Sequence, residues 1–303
     1  MSPQVKKTAK TILLPIQGDS GHLYGMDNKT GSLAPFSFHR GTMASTFDVS
    51  RKMEIVSSDM PRIDYGYYTD EPKILIEKES TNLVKSNATL DQVTSVTYRD
   101  DYYQGYKIVA NSTLNTHRVS YNNGVSAADT QVGSVFLKYS GVRYVQLRIR
   151  SGSVLQWLMV DLIDGVISQN MGGLIASISQ KENGWYRVIF RDAGLADATS
   201  YLIIGLSDQP TVSTQLYQFT GNGIDGICYA YPQVEKQANP TSYIPISSSA
   251  VTRSADLLSI ELLTDSNIEI QTTSRLIQET KEAGTWNVDS DLNNEGVKYI
   301  AIY

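Results

Sequence analysis

Apolar and polar positions alternate one by one along most of this chain, and nowhere does the three-to-four spacing of an amphipathic helix persist. Residues 132–140 (VGSVFLKYS), 144–151 (YVQLRIRS), 154–163 (VLQWLMVDLI), 185–190 (WYRVIF) and 201–207 (YLIIGLS) alternate or run continuously apolar, separated by Gly, Asn, Asp and Ser. Short strands punctuated by turn residues predict an antiparallel all-β sandwich, each strand giving one face to the core and the other to solvent or a second sheet. Two dipeptides mark tight turns, Asn183-Gly184 ahead of WYRVIF and Asp164-Gly165 inside VDLIDGVI. Asn or Asp followed by Gly accepts the left-handed φ values that a two-residue hairpin requires. Downstream, an apolar strand ends at Glu235, and Pro240 and Pro245 then hold an extended crossing segment. No repeat of the solenoid or propeller kind is present.

Three regions follow from this pattern. Residues 1–35 contain Lys and Thr, the apolar patch TILLPIQ and a loop-like stretch rich in Gly, Asp, Asn and Ser. They read either as a short arm anchoring the chain to another protein or as an ordinary first strand. Residues 36–256 form the sandwich. Residues 257–303 are a small β extension too short for its own core. Here SIELL, NIEIQTT and VKYIAIY read as strands, and RLIQETKEAGTW as an exposed turn or bulged connection. The terminal VKYIAIY would leave an apolar edge exposed, so this extension is expected to pack on the sandwich or on a second copy.

Composition narrows the class. The chain has 303 residues, 41% of them hydrophobic, which is enough for a sizeable core, and only 19% are charged. A net charge of −5 argues against non-specific nucleic-acid binding. Cys228, the one cysteine, has no intrachain disulfide partner and reads as a small core residue. No apolar run reaches bilayer length, so membrane insertion is not expected, and the amino terminus does not read as a secretory signal.

Several blocks occur in a definite order: FSFHRGTMAST (Phe38, Arg40, Thr42, Ala44, Ser45), PRIDYG (Pro61, Arg62, Asp64, Tyr65), ILIEKESTNL (Leu75, Ile76, Glu77, Thr81, Asn82, Leu83), VDLIDG, NGWYR, Gln233-Val-Glu235, TSYIP (241–245) and TRSAD (252–256). Together they resemble a lectin-like (concanavalin-A-like) jelly-roll domain common in bacteriophage tail and head fibre proteins. Ile74, Val160 and Asp164 depart from the family pattern, and Thr42 and Ser45 each put one hydroxyl residue where it has the other. The resemblance spans about residues 36–256 and implies a jelly-roll sandwich on a virion. The implied partners are other virion proteins of capsid or tail, further copies of the chain in a homo-oligomer, and host surface glycans. It also makes Trp185 a core residue opening the GWYR strand. The alternative is a structural decoration or adaptor protein without glycan binding.

Catalytic chemistry finds little footing, and no enzyme, cofactor or metal is expected. The three histidines, His22, His39 and His117, lack metal-ligand spacing and read as surface or turn residues. There is no nucleophile elbow, and GNGIDG (221–226) lacks the lysine and helix of a phosphate cradle, reading instead as a hairpin turn. Among carboxylates, Asp161, Asp164 and Glu182 are candidate acids without distinguishing marks, while Glu77 and Glu235 are expected to pair with arginines such as Arg62, Arg187 and Arg253 to fix strand register. For a glycan, aromatic faces are the natural platform. Tyr102, Tyr103 and Tyr106 in DYYQGY, together with Trp157, are the candidate glycan-binding residues; the tyrosines read equally as cover for a strand edge or a subunit contact.

Overall fold

The computed structural model describes residues 9–19, 21–66, 71–126, 130–151, 156–192, 199–292 and 294–303, without the side chains of 16–18, 124–126, 150, 151 and 199. The fold is all-β: strands account for 58% of the structure and helix for 1%. The chain divides into two compact units, one made of Thr81–Thr252 and the other of Met1–Ser80 with Arg253–Tyr303.

The Thr81–Thr252 unit is an antiparallel sandwich of two six-stranded sheets. The first runs in the order Val93–Arg99, Gln104–Ala110, Gly226–Glu235, Val132–Ser140, Trp185–Arg191, Ile175–Gln180. The second runs Val166–Met171, Trp157–Asp161, Tyr144–Ser151, Thr199–Ser207, Arg118–Ser126, Thr89–Asp91. Successive segments pass back and forth between the sheets, so that Gln104–Ala110 lies beside Gly226–Glu235 across a long stretch of sequence. This is the winding of a jelly roll. Period-two burial supplies the core. Ile108, Val135, Leu137, Val188, Phe190 and Ile227 of one sheet meet Val119, Val145, Leu147, Leu158, Val160, Leu202 and Ile204 of the other. The expected turns are present: Gly165 has φ +67° between its strands, and Asn183 and Gly184 both take left-handed φ ahead of Trp185. Pro232, which has no N–H to donate, is accommodated by a bulge: the register shifts opposite Val135, and Tyr231 takes φ +53°.

Trp185 is fully buried, yet on the face of its sheet opposite the core. Val188 and Phe190 point inward, whereas Trp185 packs against Tyr103 at 5.0 Å between ring centroids. Its cover is the hairpin turn after Arg99. The Asp100 carboxylate accepts from the Tyr102 and Tyr103 amides at 3.0 and 2.9 Å, from Trp185 Nε1 at 2.8 Å, from Lys138 Nζ at 3.1 Å and from Asn183 Nδ2 at 3.1 Å. Burial raises the cost of this charge, but the indole, the two amides and Lys138 outweigh it and hold the carboxyl down to about 2.

In the other unit, both ends of the chain share one sheet: Leu276–Lys281, Ser266–Thr272, Val297–Ile302, Thr11–Asp19, His22–Asp27, Leu33–His39, Leu257–Leu262, Gly284–Val288. Its two outermost strands are consecutive in sequence, joined only by residues 282 and 283. A two-residue link spans at most about 10 Å, so the sheet must curl until its edges approach each other. Leu13, Leu23, Phe36, Phe38, Ile268, Ile270, Trp286 and Ile300 fill the interior.

Several expectations change here. The segment placed in an arm at 1–35 supplies sheet strands from Thr11 onward, while residues 1–8 lie outside the described residues. The compact units divide at 80/81 and 252/253, not at 35/36 and 256/257. VKYIAIY is no edge: Val297–Ile302 lies between Thr11–Asp19 and Ser266–Thr272, which removes the exposed-edge argument for packing on a second copy. RLIQETKEAGTW contributes the two outermost strands of the sheet, not a bulged connection.

Candidate functional site

The residues most conspicuous in the sequence prove to be buried polar joints. In the unit containing both chain ends, Arg40, Arg62, Glu77, Arg253 and Asp256 meet out of solvent. Arg62 bonds Glu77 at 2.8 Å and also Asp256, Arg40 reaches Asp256 at 3.1 Å, and Arg253 lies 3.4 Å from Glu77. Burial opposes the charge on Arg62, but the Asp256 and Glu77 carboxylates outweigh it and raise its pKa. Burial and the neighbouring charge of Arg62 lower that of Arg40.

In the sandwich, Glu235 accepts from the Thr241 amide at 2.9 Å, the Thr241 hydroxyl at 2.6 Å and Gln233 Nε2 at 2.8 Å, while Gln233 Oε1 accepts from the Ile244 amide at 2.7 Å. Asn82 donates to the Ile244 carbonyl at 2.8 Å and accepts from the Val84 and Val234 amides. The expected pairing of Glu77 with arginines is present. Arg187 lies over the Phe136 ring and donates to the Thr241 carbonyl. Such contacts fix strand ends and crossings and leave no group facing a ligand.

The expected platform is not assembled. Tyr103 is 2% exposed, wedged between Trp185 and Phe136. Tyr102 is half-buried and held through its amide by Asp100. Tyr106 is 38% exposed but stacks on Tyr229 at 5.6 Å. Trp157 is fully buried, so its ring offers no face to a sugar. It packs with Met159 and Val212 beneath residues 208–217. Gln169 pins that loop, accepting from the Val212 amide at 2.9 Å and donating to its carbonyl at 3.1 Å. Trp157 was a candidate only as an aromatic residue, and this cover removes it from any surface.

The other candidates also have structural partners. Arg143 grips both oxygens of Asp161 and reaches Asp164 at 2.6 Å, and Tyr103 donates to Glu182 at 3.3 Å. His22 and His39 lie near Asp19 and Asp59 toward solvent. His117 is a correction: it is fully buried, its ring nitrogens 2.7 and 2.9 Å from the Gln92 and Phe219 carbonyls. GNGIDG forms an Asn222-capped turn, although the strand before it, Phe219–Thr220, pairs with Leu114–Asn115 and so makes no hairpin with Gly226–Glu235. Cys228 is buried, which pushes its thiol pKa up. Among the described residues, no group of three or more His, Cys, Asp or Glu could hold a metal ion.

Among the described residues, what remains open is half of the outer face of the second sheet. Val119, Tyr121, Val145, Leu147, Leu202 and Ile204 point into the core. Their sequence neighbours therefore face outward. The register aligns Gln146, Gly205, Arg118 and Asp91 in one row, Arg148, Ile203, Ser120 and Thr89 in the next, and Tyr201 with Asn122 beyond. The loop at 208–217 covers the Gln146 end, where Gln146 Nε2 donates to the Thr214 carbonyl at 3.0 Å. At the far end, Thr89, Asp91, Arg118, Ser120, Tyr201 and Ile203 line a shallow concavity of about 370 Å³. Tyr201 is half-exposed, and its hydroxyl accepts from Asn122 Nδ2 at 3.1 Å. Arg148 is 3% exposed and donates to Gln215 Oε1. A face with one aromatic ring, a hydroxyl, a carboxamide and charged groups can take the C–H face and the hydroxyls of a sugar.

None of these residues stood out in the sequence. The available signal was the polar half of the alternation in YVQLRIRS and RVSYN, where arginine recurs at outward positions. No family model and no curated protein matches the chain.

Proposed function

We propose that this chain is a non-enzymatic bacteriophage virion protein, a surface fibre of head or tail, whose Thr81–Thr252 sandwich binds host glycans on the open half of its second sheet. The virion part rests on the ordered sequence blocks from Phe38 to Asp256. The binding part rests on one observation: a sheet face half covered by residues 208–217, with Tyr201, Asn122, Ser120 and Arg118 around a concavity in the other half. A face left open beside one that the chain has covered is where a ligand can displace water without unmaking the fold. The platform moves accordingly from Tyr102, Tyr103, Tyr106 and Trp157 to Tyr201 and its neighbours. Other virion proteins and further copies of the chain remain the proposed partners.

Binding of the intact protein to a bacterial surface-glycan array tests this reading. Tyr201→Ala is expected to weaken the strongest hits by about tenfold, the worth of one aromatic contact. Tyr102→Ala should leave them unchanged. An array without hits, alongside stable binding to a capsid or tail protein, would replace the glycan-binding role with that of an adaptor.

A further inference from the structure

Arg118 lines the open half of the sheet face beside Gly205, whereas Arg148, in the neighbouring row beside Ile203, is 3% exposed and bonded to Gln215 of the covering loop. Gly205, having no side chain, leaves the strand between them low. Like charges on a half-covered face raise each other's cost, because water screens them poorly there. Burial, and then the charge of Arg118, holds the Arg148 guanidinium down to about 10. Asp91 meets Arg118 at 3.3 Å from the outer edge, where its side chain is 35% exposed. An anion seated against Arg118 relieves the repulsion between the arginines, and the planar guanidinium suits a carboxylate in particular.

Resting on the glycan reading above, we propose that the face is selective for acidic saccharides: Arg118 donates to a sugar carboxylate, the buried Arg148 adds positive charge from beside the covering loop, and the Tyr201 ring packs on the pyranose beside Ser120 and Asn122. Asp91 then holds Arg118 in place in the free protein and competes with the ligand for it.

The test is titration calorimetry of the full chain with a galacturonate hexamer and with its carboxyl-reduced, neutral counterpart. The acidic hexamer is expected to bind at least about tenfold tighter, with an advantage that shrinks as salt rises. Arg118→Gln should remove most of that advantage, weakening the acidic hexamer several-fold more than the neutral one. Asp91→Asn, at an exposed position, should strengthen acidic binding several-fold. Equal binding of the two hexamers, or acidic binding indifferent to Arg118→Gln, overturns the charge selectivity while leaving the glycan reading standing. A polyaspartate peptide binding as tightly as the acidic hexamer would show that charge alone is read, and overturns the saccharide assignment. Failure of both hexamers and of every array glycan overturns both readings.

Discussion

Replacing Asp100 with Asn perturbs the contact that joins the DYYQGY turn to the GWYR strand. The carboxylate takes five donors within 3.1 Å, and its side chain is only 11% exposed. Its pKa falls from 3.8 to about 2. At 1.36 kcal/mol per unit, that shift corresponds to about 2 kcal/mol of stability at neutral pH. Because the folded-state value is the lower one, the contribution is present above about pH 4 and is lost as pH falls through 2. Urea denaturation of the wild type and of Asp100→Asn, followed by tryptophan fluorescence at pH 7, 5, 3 and 2, measures the gap. It should be about 2 kcal/mol at pH 7 and 5, and below about 0.5 kcal/mol at pH 2. Other titrating carboxylates largely cancel in the difference. A gap under about 0.5 kcal/mol at pH 7, or one that persists unchanged at pH 2, would refute the assignment of Asp100 as the anchor of the turn.

Other outcomes follow from the same geometry. Asp256→Asn strips charge from a site shared with three buried arginines and should cost roughly 3–5 kcal/mol by denaturation, with a cost under about 1 kcal/mol refuting the ionic joint. Tyr103→Ala should cost about 3 kcal/mol and Tyr102→Ala well under 1 kcal/mol, since only Tyr103 is enclosed; equal losses would contradict the placement. At Gly226, a Cβ would stand 1.8 Å from the Ile108 carbonyl oxygen, so Gly226→Ala should lower the midpoint by more than any surface substitution. Cys228 should resist a thiol reagent in the native protein and react once urea unfolds the sandwich.

The legible part of the sequence was its fold grammar. Alternation in VGSVFLKYS and YVQLRIRS produces strands, and Asn183-Gly184 and Asp164-Gly165 produce turns, because side-chain period and φ preference act over a few residues. The conspicuous blocks, from Phe38-His-Arg40 to Thr252-Arg253-Ser-Ala-Asp256, are conspicuous because buried ionic and carboxamide joints tolerate few residue types at fixed positions. The search for aromatic sugar platforms led instead to Trp157 and Tyr103, both of which are enclosed. Conversely, the acid that organises the tyrosine turn, Asp100, looks in sequence like any loop aspartate.

By itself, then, the sequence determined the all-β class, the strand segments, the tight turns and the placement of Trp185, Glu77 and Glu235 as structural residues. Only the tertiary structure decided that Thr11–Asp19 pairs with Val297–Ile302, that residues 208–217 cover Trp157, and that Arg118, Ser120 and Tyr201 line one concavity. The physical reason is range. Propensity and periodicity are local, whereas which polar face remains uncovered depends on pairings and loop packings between residues far apart in the chain.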